Sequence, residues 1–175
     1  MKKLALVMLA VMIAFCFAGC AEKIWGTRYY VDEFNETTDS IYITNTSYFY
    51  GKFSNYDTTN SELYAKILID SDGVYIMLWK YGSIQVKADF ATNYKISLQD
   101  DNGNRVDMVG TMKKNSDRIT VGINKWKVFV EKIIENKTVK VYIEEQSDYS
   151  FPSTYIFEIE QDNFNQIYND YCLGK

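Results

Sequence analysis

Residues 61–80 read SELYAKILIDSDGVYIMLWK, and the two halves of this stretch decide the fold. Leu63, Ala65, Ile67 and Ile69 recur at every second position. Successive side chains of an extended chain point to opposite faces, so this half predicts a strand with one apolar face. Asp70-Ser71-Asp72-Gly73 follows, a composition suited to a tight hairpin. Val74 to Tyr81 is then apolar on both faces, which predicts a central strand or one packed on both sides. Two strands joined by so short a turn must run antiparallel, because a parallel pair needs a long crossover.

The same alternation extends outward. Ile84, Val86 and Ala88 alternate with Ser83, Gln85 and Lys87; Tyr94, Ile96 and Leu98 alternate with Lys95, Ser97 and Gln99. Val139, Val141 and Ile143 alternate with Lys140, Tyr142 and Glu144. Tyr42 and Ile43, then Tyr48 to Tyr50, predict an earlier strand or hairpin. Asp100-Asp101-Asn102-Gly103-Asn104 predicts a second tight turn, its Asn-Gly pair tolerating positive φ. Lys114 to Asp117 ends the strand Val106 to Met112, and Tyr149 to Ser153, with the only proline, joins the last two strands. The period turns helical twice. Asn124 is placed to cap a helix through about Asn136, with Trp126, Phe129, Val130, Ile133 and Ile134 on one face. Asp162 is placed to cap a second, with Phe164, Ile167, Tyr168 and Tyr171 inward. The chain therefore reads as mainly β, α+β at the margin. The expected architecture is an antiparallel two-sheet sandwich or a partly open barrel, with one or two short helices near the C-terminus.

The strand Arg118 to Ile123, the helix after it, the strands Thr138 to Gln146 and Thr154 to Gln161, and an aromatic helix start at Phe164 form one pattern. In it the second half resembles two groups of secreted β-sandwich proteins, the invasion-associated locus B-like family and an accessory family of type VI secretion systems. That resemblance implies a sandwich-type fold and no particular activity.

The N-terminus carries a different signal. Met1-Lys2-Lys3 is a short basic region, and Leu4 to Ala18 is apolar without a charge. That run is shorter than the roughly 20 residues of a spanning helix and matches a signal-peptide core. It closes on Phe17-Ala18-Gly19-Cys20, which resembles the lipobox of bacterial lipoproteins, with Phe17 where leucine is usual. The resemblance implies that residues 1–19 are removed and that Cys20 is acylated as the first mature residue. Residues 20–27 would then form the lipidated N-terminus and a short tether, and 28–175 a single β-rich domain. Each buried methylene of such an anchor contributes about 0.8 kcal/mol, and two or more chains hold stably. Such a lipid would make the membrane a partner and place the protein in the cell envelope. Ala21 does not resemble the Asp that retains lipoproteins in the inner membrane, so the outer membrane is expected where the cell has one.

Removing residues 1–19 leaves 156, enough for one domain with a real core. Lys2 and Lys3 leave with the signal, so the formal charge falls from −4 to −6. An acidic domain gains little from phosphate backbones or anionic lipid, so nucleic acid is not an expected partner. There is no histidine, which removes Ser-His-Asp and Cys-His catalysis and His metal sites. Cys172 is the one thiol left beside the acylated Cys20, so no intrachain disulfide is expected. With no histidine to activate it, Cys172 reads as a buried, inert cysteine.

Three constellations invite chemistry. Asp70, Asp72, Asp100 and Asp101 offer oxygen ligands, but neither turn matches an EF-hand loop, and hairpin geometry accounts for both; no metal or cofactor is expected. Glu144, Glu145, Glu158 and Glu160 sit on neighbouring strands, where paired carboxylates could serve glycan hydrolysis; a solvent-facing stripe accounts for them as well. The fifteen tyrosines all lie beyond residue 19. Strand propensity covers most of them. Tyr48-Phe49-Tyr50, with Tyr56 nearby, cannot all point inward, so Tyr48, Tyr50 and Tyr56 are the expected binding surface. No Gly-rich phosphate loop or CxxC pair appears. The leading functional expectation is an envelope-anchored lipoprotein whose non-catalytic β domain binds a protein or glycan. The alternatives are an immunity, exclusion or inhibitor lipoprotein acting on an envelope enzyme or toxin, and a carboxylate-dependent glycan hydrolase.

Overall fold

The computed structural model describes residues 23–122, 124–146 and 151–173. Among them lie eleven strands and two helices. The strands are β1 (Trp25–Val31), β2 (Thr37–Asn45), β3 (Phe49–Ser54), β4 (Ser61–Ile69), β5 (Val74–Lys80), β6 (Ile84–Gln85), β7 (Thr92–Gln99), β8 (Arg105–Met112), β9 (Ile119–Val121), β10 (Thr138–Gln146) and β11 (Thr154–Glu160). The helices are α1 (Trp126–Glu135), between β9 and β10, and α2 (Phe164–Leu173), after β11.

Every pairing is antiparallel. β4 and β5 pair from Leu63↔Lys80 to Ile69↔Val74, as the quoted stretch predicts. Hydrogen bonding runs β4-β3-β11-β10-β7-β8-β9-β5 and returns to β4, so eight strands close into a barrel. Of the two expected architectures the barrel is the one formed. β1 and β2 extend from the far end of β4, and β6 hangs on the end of β5. The inward positions are those the alternation marks: Leu63, Ala65, Ile67, Ile76, Leu78, Ile96, Leu98, Val141 and Ile143 are all fully buried. An eight-stranded barrel has an interior just wide enough for such side chains to fill. At Gly51 and Gly110 even a Cβ does not fit: it would lie 2.7 Å from Phe157 Cβ at the first, and 2.6 and 2.7 Å from Ile119 and Ile96 at the second.

The ends of the barrel differ. Phe129, Val130 and Ile133 of α1 are buried against one end, where α2 joins them through Phe164 and Tyr171. The other end carries the loops after β3, β5 and β8 and, among the described residues, is open, with no helix over it. No helix among the described residues is long and apolar enough to cross a membrane.

Several local expectations change. The domain begins before Arg28: β1 starts at Trp25, whose buried indole packs on Phe49 and Phe164 at ring distances of 5.5 and 4.7 Å and donates to Glu160 O at 2.8 Å. Trp25 to Thr27, expected as part of a tether, thus belong to a strand. β2 and β3 do not pair with each other but share one edge of β4. Ile84 is exposed, because β6 touches only the end of β5. Neither expected helix cap forms. α1 follows Lys125 with no side-chain cap, and Asp162 accepts from Ile24 N at 3.1 Å, tying β1 to the start of α2. Cys172 is exposed, the reverse of the buried position expected for it; Tyr171 takes the inward position of that turn.

Candidate functional site

Cys20 lies outside the described residues. The expected binding tyrosines are described, and the barrel separates them. Phe49 points inward, so its neighbours Tyr48 and Tyr50 must point outward; they are 36% and 66% exposed. Register then builds a row that no single segment shows. Tyr50 lies opposite Tyr64, and Tyr64 opposite Trp79, so three outward rings line up across β3, β4 and β5. Tyr50 meets Tyr64 edge-on at 5.0 Å, and Tyr48 stacks on Tyr64 at 5.4 Å and meets Trp79 at 5.1 Å. Lys66 Nζ sits 5.2 Å over the Tyr48 ring, and Tyr64 donates its hydroxyl to Glu62 at 3.0 Å. Burial lowers the Lys66 pKa, with the Arg28 charge adding to the effect. The result is an outer surface of mutually braced aromatic rings flanked by cations, geometry suited to stacking on a sugar or packing against a protein side chain. Tyr56 is not part of it. It lies on the loop after β3, 79% exposed, with its ring on Phe151 at 5.7 Å, at the open end of the barrel.

That open end holds a second arrangement. A cavity of about 590 Å³ is lined by Lys80, Phe90, Thr92, Tyr94, Glu145 and Tyr155 among others. Lys80 continues the inward series Val74, Ile76, Leu78, and Glu145 continues Val139, Val141, Ile143. Lys80 Nζ lies 5.5 Å from each of the Phe53 and Tyr155 ring centres and 3.5 Å from Ser153 Oγ. Burial lowers its pKa, opposed by the Glu145 and Asp57 charges. Burial also pushes the Tyr155 hydroxyl up to about 12 and raises Tyr94 further, so both are protonated donors at neutral pH. One wall is the segment after β6. It is pinned to the β8–β9 turn by Ala88 N donating to Ser116 O at 3.1 Å and Asn115 N to Ala88 O at 2.8 Å. The signal for these residues was in the sequence: each alternating apolar series ends in a charge that keeps the inward parity.

The acidic turns have tertiary partners. Asp70 accepts the N–H groups of Asp72 and Gly73 through one oxygen and the Tyr30 hydroxyl, at 2.6 Å, through the other. Asp100 accepts from Asn102 and Asn104 and binds Lys132 of α1 at 2.8 Å. Asp101 accepts from Lys137 N. No cluster of three or more metal-ligating side chains occurs among the described residues. The glutamates are dispersed. Glu158 pairs with Lys140 at 3.7 Å and Glu144 accepts from Tyr142 at 2.9 Å. In the β10–β11 register Glu158 faces Lys140 and Glu144 faces Thr154. The two residues are thus offset along the strands by about 13 Å of backbone at 3.3 Å per residue.

No family model, no curated protein and no solved structure matches the chain.

Proposed function

We propose that this chain is an envelope-anchored lipoprotein whose barrel is a non-catalytic binding domain for a protein or glycan of the envelope. The row Tyr50-Tyr64-Trp79, with Tyr48 braced on it, is the observation that carries the binding reading. Aromatic rings fixed on rigid strands offer contact area at small entropic cost, which is why such residues dominate recognition surfaces. The sequence Phe17-Ala18-Gly19-Cys20 supports the anchor. A domain starting at Trp25 would sit close to the bilayer, since residues 21–24 span at most about 14 Å.

Two measurements test the reading. Tritiated palmitate labels the wild-type chain in growing cells and leaves Cys20→Ser unlabelled; label retained by Cys20→Ser overturns the anchor. For binding, Cys20→Ser protein lacking residues 1–19 is immobilised and exposed to envelope extract, beside the same protein carrying Tyr48→Ser and Tyr50→Ser. The first retains a protein or glycan that the second loses, while both unfold at closely similar temperatures. Equal retention by both removes the aromatic row from the function. Capture of one envelope enzyme at fixed ratio, with its activity suppressed, selects the inhibitor or immunity form of the proposal.

A further inference from the structure

We propose that the open end of the barrel binds a small monocarboxylate whose neighbouring atoms carry hydrogen-bond donors, with Lys80 taking the carboxylate and Glu145 the donors. This site is independent of the outer aromatic row: Lys80, Glu145, Tyr94 and Tyr155 keep the inward parity of their strands, while Tyr50, Tyr64 and Trp79 keep the outward one.

The argument starts from Lys80. It is the fourth inward member of β5, after Val74, Ile76 and Leu78, and lies opposite the fully buried Leu63. A methionine would fill that space without desolvating a charge. The ammonium carries three N–H donors, and Ser153 Oγ is its one hydrogen-bond partner among the described residues. No carboxylate among those residues lies within ion-pair distance of it. The Phe53 and Tyr155 rings hold the charge in place without neutralising it. A half-buried cation with spare donors beside a cavity of about 590 Å³ is built to receive an anion.

Glu145 narrows the choice. Its carboxylate lines the same cavity and has no hydrogen-bond or ion-pair partner among the described residues, and Asp89 lines it too. Lys87 lines it as well, so two acids face two lysines. Glu145, whose charge acts directly on Lys80, repels a second negative charge placed at that ammonium, which disfavours a dianion such as a phosphate monoester relative to a single carboxylate. The acids welcome donors next to that carboxylate. Tyr94 and Tyr155 add hydroxyls, and Phe90, 75% exposed, adds an apolar face for a carbon framework. Acidic sugars and amino acids both present this chemistry, the first through hydroxyls and the second through an ammonium group.

The test is calorimetric titration and NMR of the full chain in detergent micelles. Galacturonate and alanine are the two arms. Acetate, galactose, methyl galacturonate and galactose 6-phosphate are the controls. At least one arm is expected to bind at least about tenfold more tightly than every control and to lose about tenfold or more in Lys80→Met. The arm that binds identifies the source. Glu145→Gln is expected to narrow the preference over galactose 6-phosphate, a readout that does not depend on how Lys80→Met folds. Thermal unfolding of each variant establishes that it is folded. Carboxylates that bind no better than their neutral analogues, undiminished binding by folded Lys80→Met, or an unchanged phosphate preference in Glu145→Gln overturns the proposal.

Discussion

Asn45 solves a problem that backbone alone leaves open. β2 and β3 share one edge of β4, β3 reaching as far as Ala65 and β2 starting at Leu68, so no strand faces Ile67 N between them. The fully buried Asn45 side chain fills the gap. Its Oδ1 accepts from Ile67 N at 2.8 Å, and its Nδ2 donates to Ala65 O at 3.2 Å and to Ser47 O at 2.6 Å. A side-chain amide has the donor and acceptor of a peptide group, so it substitutes for the absent strand. Asn45→Ala strips partners from buried polar groups and is expected to lower stability by about 2–3 kcal/mol, read from urea unfolding. Asp100 makes a prediction in pH. The Lys132 ammonium and the hydrogen bonds of its own turn hold its carboxyl at about 2, below the roughly 3.9 of an unfolded chain. A depressed carboxyl stabilises the fold above the unfolded value and loses that contribution as pH falls through the folded one. Stability should therefore decline between about pH 4 and pH 2, and Asp100→Asn should flatten that part of an acid-unfolding curve. These two residues differ in legibility. Asp100 was visible in the sequence as a turn residue but its helix partner was not, and nothing in the sequence distinguished Asn45 from an ordinary loop asparagine.

At the scale of elements, α1 closes one end of the barrel and is held there by groups distant in sequence. Lys132 reaches Asp100, the Asn165 side chain donates to Ile134 O at 3.2 Å, and Gln161 donates to the same carbonyl. The last two bonds satisfy the Ile134 carbonyl, one of those that a helix C-terminus leaves unpaired. At its N-terminus no side chain caps it, so tertiary packing supplies most of what keeps it helical. Phe129 is fully buried at the centre of that contact. Phe129→Ala is expected to cost about 3–5 kcal/mol, measured as a loss in the urea midpoint at constant slope. The helical period announced Phe129, Val130 and Ile133 as one face. It could not say what that face covers, because a stripe of apolar residues specifies burial and no partner.

For the molecule as a whole, closure distinguishes the eight barrel strands from the attached ones. A strand in the ring has hydrogen-bonded neighbours on both sides, whereas β1 pairs with β2 alone and β6 with β5 alone. Hydrogen exchange followed by mass spectrometry should show β1 and β6 exchanging well before β4, β7 and β10; uniform protection would contradict the closed ring. By itself the sequence determined the β class, the hairpin turns at Asp70 and Asp100, the inward faces of β4, β7 and β10 and the two helical stripes. These follow from period and turn chemistry, which act over a few residues. Only the tertiary structure decided that the ring closes, that Tyr50, Tyr64 and Trp79 form one row, and that Lys80 and Glu145 meet the same cavity. Those facts depend on which strand edges pair and in what register, and each is set by packing among residues far apart in the chain.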